Sequence, residues 1–210
     1  MCCGRPGKTG STTRIVAFAI VIVLAAPAAS ADPFGDLTKD GDACFRRDYD
    51  TAHLRKNPRQ QTTSMLVWIK APTNQPGPNV GLAVTRRSDP RHLFLSAGCE
   101  WGDHDGQSWM KSFKKKAGAG CITLAVPEIF DVSSAEEGGG VLLDPATDGK
   151  TLTVHVDDTQ KMIKRADRVQ FVTVKFGATD RVFLLRRTDA KDCDLVRDAL
   201  TRPERGRQPR

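Results

Sequence analysis

The alternation of apolar and polar positions is cleanest from Thr151 to Val156. There Leu152, Val154 and Val156 fall on one side of an extended chain, and Thr151, Thr153 and His155 on the other. A period of two sustained over six residues is the pattern of a strand with one buried face. It recurs with Leu82 and Val84 in residues 80–86, with Leu93, Leu95, Ala97 and Cys99 in 92–99, and with Ile122, Leu124 and Val126 in 121–130. Residues 141–143 add a short apolar run. From Thr62 to Lys70 the pattern differs, because Met65, Val67 and Ile69 alternate with the equally apolar Leu66 and Trp68. Such a strand is expected in a sheet covered on both sides.

Residues 169–187 read VQFVTVKFGATDRVFLLRR, two apolar runs joined by Gly177-Ala178-Thr179-Asp180. That arrangement predicts an antiparallel hairpin. Its first strand is apolar on both faces, with Val169 and Phe171 opposite Val172, Val174 and Phe176, and is expected in the middle of the sheet.

Three stretches carry a helical stripe instead. Residues 48–59 place Tyr49, Ala52 and Leu54 together behind an Asp50 or Thr51 cap, with Pro58 as a stop. Residues 157–168 place Met162, Ile163 and Ala166 opposite Lys161, Lys164 and Arg165, and residues 189–200 align Cys193, Val196 and Leu200 behind Thr188. Residues 32–42 read as an irregular lead-in, and 100–120 as a long aromatic loop. Together these elements predict a mainly β fold with a few short helices: about eight short antiparallel strands in a small barrel or sandwich.

The N-terminus changes the compartment. Arg5, Lys8 and Arg14 precede an apolar run, residues 15–26, followed by Pro27 and Ala29-Ser30-Ala31. This is the layout of a secretory leader, residues 1–31, cleaved before Asp32. The apolar run is too short to span a bilayer, which takes roughly 20 residues. No other run could cross a membrane, and no cysteine sits where a lipid anchor would attach. The mature chain is then one domain over 32–200 with a disordered basic tail over 201–210, in the periplasm or outside the cell.

The net charge of +7 would ordinarily suggest a polyanion partner. Three of those charges belong to the leader and three to the tail, which leaves +1 for the body. Nucleic acid is therefore not an expected partner.

Of six cysteines, Cys44, Cys99, Cys121 and Cys193 survive leader removal. In an exported chain they predict two disulfides in one of three pairings. The favoured one joins Cys99 to Cys121 across neighbouring strands and Cys44 to Cys193 across the domain. In the loop-entropy account these contribute about 3 and about 5 kcal/mol. No C-x-x-C pair supports zinc, and no metal or other cofactor is expected.

Candidate chemistry is sparse. Glu100, Asp103, His104 and Asp105 cluster in one loop, yet the position where a calcium loop needs Glu is Lys114. An Asp- and Gly-rich surface turn accounts for them. No G-x-S-x-G occurs, and His53, His92, His104 and His155 sit where polar residues are ordinary. Trp101, Trp109, Lys111, Phe113, Lys114, Lys115 and Lys116 form an aromatic and basic stretch, the expected contact for an envelope protein or an anionic lipid or glycolipid. The sequence thus points to an exported, non-catalytic β-domain that binds a protein or an anionic, amphipathic envelope ligand. Two alternatives stand beside it. One is a secreted hydrolase whose site assembles from distant residues. The other is a lipocalin-like carrier whose cavity is lined by Trp68, Phe94 and Phe171.

Peptide mass mapping of the non-reduced mature chain should return the cross-linked pairs Cys44–Cys193 and Cys99–Cys121. Four free thiols would remove the ground for export as well as for stapling.

Overall fold

The computed structural model describes residues 33–70, 79–105, 113, 117–124, 139–165 and 169–201. The expected leader and the expected basic tail beyond Thr201 lie outside these residues. The elements run α1 (Pro33–Thr38), β1 (Ala43–Asp48), α2 (Thr51–Lys56), β2 (Thr62–Lys70), β3 (Asn79–Arg86), β4 (Asp89–Asp103) and β5 (Ala117–Leu124). After them come β6 (Gly140–Pro145), β7 (Thr151–Val156), β8 (Thr159–Arg165), β9 (Val169–Lys175), β10 (Val182–Thr188) and α3 (Asp194–Thr201). Single 3₁₀ turns occupy Ala178–Asp180 and Ala190–Cys193.

The strands pair antiparallel in the order β3-β2-β1-β10-β7-β6-β5-β4, and β4 returns to β3. This is a closed eight-strand barrel with a few short helices and two disulfides. Closure removes the open edges of these eight strands. A further hairpin, β8–β9, attaches to the first half of β4 through Leu93↔Lys164 and Phe94↔Ile163.

Inward side chains follow the alternation read from the sequence. Phe45, Met65, Val67, Ile69, Leu95, Leu143, Leu152, Val154, Phe183 and Leu185 belong to one buried cluster. Phe34 and Leu37 of α1 join it at one end, and Met162, Val174 and Phe176 of the hairpin at the other. Arg187 ties α1 down by donating from Nη2 to the Leu37 carbonyl at 2.9 Å. A second cluster lies outside the barrel wall, where Val196 packs with Leu66, Trp68, Ala83 and Phe94 beneath α3. That is why β2 is apolar on both faces. The helix sits close: a Cβ on Gly81 of β3 would stand 2.6 Å from Leu200 and 2.8 Å from Val196.

Both disulfides are those favoured above. Cys99 and Cys121 are direct cross-strand partners of β4 and β5. Cys44 of β1 and Cys193 at the foot of α3 are 149 residues apart in sequence, with Cα atoms 5.8 Å apart.

Five expectations are corrected. The stretch 169–187 is not a hairpin: β9 pairs with β8, while β10 lies between β1 and β7. The turn between them is tied elsewhere, because the buried Asp180 carboxylate accepts the amides of Gln61 at 2.8 Å and Thr62 at 3.2 Å at the start of β2. β9 therefore ends the sheet order instead of lying in its middle. Residues 159–165 of the expected helix are strand β8, because Met162 turns into the barrel cluster and its neighbour Ile163 into the outer one. Adjacent apolar residues fit a helical stripe and a two-sided strand equally well. Residues 33–38 of the expected lead-in are helical, with Phe34 and Leu37 on the buried side. The long loop is shorter than expected, since β4 runs to Asp103 and β5 begins at Ala117.

Removing Phe183, which is fully buried in the barrel, should cost about 3–5 kcal/mol as Phe183→Ala in guanidinium unfolding. Leu184→Ala, on the exposed face of the same strand, should stay within about 0.5 kcal/mol. Equal losses would mean that β10 does not present alternate residues to the core.

Candidate functional site

Trp101 continues the inward side of β4 two residues past Cys99 and stands at the barrel rim. It is 41% exposed, with its ring edge-on to Phe34 at 5.8 Å. Phe113 is buried against Leu142 on the outer side of β6. These two aromatics of the expected binding stretch thus lie on opposite sides of the wall. Trp109, Lys111, Lys114, Lys115 and Lys116 lie outside the described residues.

His104 is turned into the β4–β5 backbone. The Gly120 amide donates to its Nε2 at 3.1 Å, and the carbonyls of Glu100 and Gly118 lie 3.2 and 3.3 Å from the same atom. Among the described residues, no group of three His, Cys, Asp or Glu is placed to hold a metal ion. His53 meets Gln60 Oε1 at 3.0 Å. His155 sits on the outer face of β7 opposite Val182. Trp68 and Phe94 belong to the cluster beneath α3, and Phe171 is 37% exposed on β9, so none of the three lines the barrel interior.

What the fold does assemble is a groove between β4 and α3. Reading across the sheet, Phe171, Ile163, Phe94, Ala83, Leu66 and Arg46 are successive register partners on the outer face of five neighbouring strands and β1. α3 covers the middle of this row. Beside the helix an open groove of about 340 Å3 remains, lined by Arg91, His92, Phe94, Leu195, Asp198 and Ala199. Leu195 is 42% exposed in its wall. Phe94, expected to line a carrier cavity, lines this groove instead, whereas Trp101 and Phe113, the described residues of the expected aromatic and basic stretch, do not.

Arg91 of the groove is held by residues outside its lining. Arg91 forks onto Asp89, Nε to Oδ1 and Nη2 to Oδ2, both at 2.8 Å, and Lys164 reaches the same carboxylate at 3.0 Å. Arg91 first and Lys164 second hold the Asp89 carboxyl well below the usual range. Two cations thus share one acid. His92 Nδ1 is buried without a hydrogen-bond partner among the described residues. Burial, followed by the charge of Arg46, pushes the imidazole below its ordinary value.

No protein-family model, curated protein or solved structure matches this chain.

The folded protein favours neutral His92, whereas the unfolded chain takes up its proton near pH 6.5. The folded state therefore loses stability as pH falls below about 6.5, until the native imidazole also charges. The melting temperature of His92→Gln should fall less than that of the wild type between about pH 7.5 and pH 5. Parallel falls would show that His92 does not titrate differently in the folded state.

Proposed function

We propose that the protein is exported through a cleaved leader and acts as a non-catalytic binding domain. In this reading the groove between α3 and β4 takes an anionic amphiphile of the cell envelope. The carrying observation is the composition of that groove: an apolar base and wall from Phe94, Leu195 and Ala199, with Arg91 as the cation among its lining residues. An acyl chain gains roughly 25 cal/mol per Å2 of apolar surface removed from water. A phosphate or carboxylate head finds the Arg91 guanidinium among lining residues that also include Asp198. The barrel interior is occupied by its own side chains, which directs recognition to the outer surface. The two disulfides fit an oxidising compartment and support export.

The mature chain should co-sediment with phosphatidylglycerol vesicles and not with phosphatidylcholine vesicles. Leu195→Glu should lower the retained fraction about tenfold, while replacing Lys111, Lys114, Lys115 and Lys116 by Ser should leave it unchanged. Loss in the lysine variant alone would move recognition to the loop, and absence of retention would end the reading.

A further inference from the structure

β3 ends at Arg86 and β4 begins at Asp89, and these two residues face each other across the turn that joins the strands. The β8–β9 hairpin packs on this end of the barrel, where Met162, Val174 and Phe176 join the barrel cluster. Arg86 spans the gap. Its Nη1 donates to the Lys175 carbonyl of β9 at 3.0 Å, and its guanidinium stands 5.8 Å from the centre of the Phe176 ring. Between turn and hairpin an open recess of about 200 Å3 remains. Its lining combines the aliphatic side chains of Leu93, Val172 and Val174 with the charges of Arg86, Lys164 and Asp89.

Those charges do not balance. Both oxygens of Asp89 are engaged: Oδ1 accepts from the Arg91 amide at 3.1 Å and from Arg91 Nε at 2.8 Å, while Oδ2 takes Arg91 Nη2 at 2.8 Å and Lys164 Nζ at 3.0 Å. Asp158, the acid just ahead of β8, is taken by Arg181 at 3.3 Å. Arg86 is left with a carbonyl and a ring face. Among the described residues no carboxylate pairs with it, and its Nε is buried without a hydrogen-bond partner. Three cations, Arg86, Arg91 and Lys164, thus stand against one acid. A half-buried guanidinium without a counterion is costly. A bound anion offsets that cost.

The rest of the lining narrows the anion. Asp89 repels a doubly charged group more than a singly charged one, and the three aliphatic side chains offer nothing to a bare inorganic ion. A carboxylate on an alkyl chain meets both conditions. The chain is short, because drug-sized ligands occupy about 300–1,000 Å3 and this recess is smaller.

We infer that the recess between the β3–β4 turn and β9 is a binding site for short aliphatic carboxylates. The carboxylate accepts from Arg86 and Lys164, and the alkyl chain lies on Leu93, Val172 and Val174. The recess shares no lining residue with the groove at Leu195, so either site can fail alone.

The test is an NMR titration of the mature chain, methyl-labelled at Leu and Val, with hexanoate. The methyl signals of Leu93, Val172 and Val174 should shift saturably while those of Leu195 stay in place. Affinity should rise about fourfold per methylene from butyrate to hexanoate. Hexanamide, the neutral isostere, should bind at least about tenfold more weakly. Lys164→Gln leaves Asp89 its fork with Arg91, and should weaken hexanoate about tenfold at a nearly unchanged melting temperature. Arg86→Gln should weaken it as much. Should the Arg86 variant unfold, Lys164→Gln and hexanamide decide the matter on the intact fold. Absence of shifts, equal affinity for hexanoate and hexanamide, equal affinity for acetate and hexanoate, or tighter binding of phosphate overturns the proposal. So do shifts confined to Leu195, which would give the carboxylate to the groove.

Discussion

β4 runs for 15 residues, about twice the length of most of its neighbours, and the barrel closes only because of that length. One edge of β4 holds β3 from Arg86↔Asp89 to Asn79↔Gly98. Its other edge is divided, with β8 at Leu93 and Phe94 and β5 from Ser96 to Asp103. A shorter strand could hold β3 and one further neighbour, not two. The inward side chains are removed from water through this closure, each buried Val, Leu, Ile, Phe or Met contributing about 1.5–3 kcal/mol. Dividing the edge is also what displaces the β8–β9 hairpin from the ring and leaves β9 at the end of the order.

The outer surface is organised by the other long-range constraint, the placement of α3. Cys44–Cys193 and the cluster of Leu66, Trp68, Ala83, Phe94 and Val196 hold the helix against β2 and β3. Gly81 allows it to approach closely. An eight-residue helix is too short to be stable alone, so the packing and the disulfide maintain it. Because it covers only part of the apolar row across the sheet, the groove at Phe94 and Leu195 and the half-exposed Phe171 are consequences of one packing arrangement.

Buried polar groups specify how the barrel's ends are sealed. Asp180 is fully buried and caps Gln61 and Thr62, nearly 120 residues earlier in the chain, so the turn after β9 is tied to the start of β2. Gln160 of β8 donates to the Gly140 carbonyl at 2.8 Å, and its Oε1 accepts from Thr123 at 3.1 Å, linking the hairpin to β5 and β6. Specific bonds of this kind select one arrangement among several that an apolar seal would permit equally.

The sequence by itself determined which residues form strands at 62–70, 80–86, 92–99 and 151–156 and which of their side chains face inward, narrowed the α2 cap to Asp50 or Thr51, and favoured one of three cysteine pairings. Those are local properties: period-two alternation and a capping side chain act over a few residues. Which strands become neighbours was decided only by the tertiary structure. Alternation assigns faces and not partners, so the 169–187 stretch looked like a hairpin although its halves join different parts of the sheet. The identity of residues 159–165 was decided there too, since Met162 and Ile163 suit a helix until two separate cores claim opposite faces. The candidate groove was equally invisible in sequence. It arises where elements far apart in the chain meet, and no residue pattern encodes it by itself.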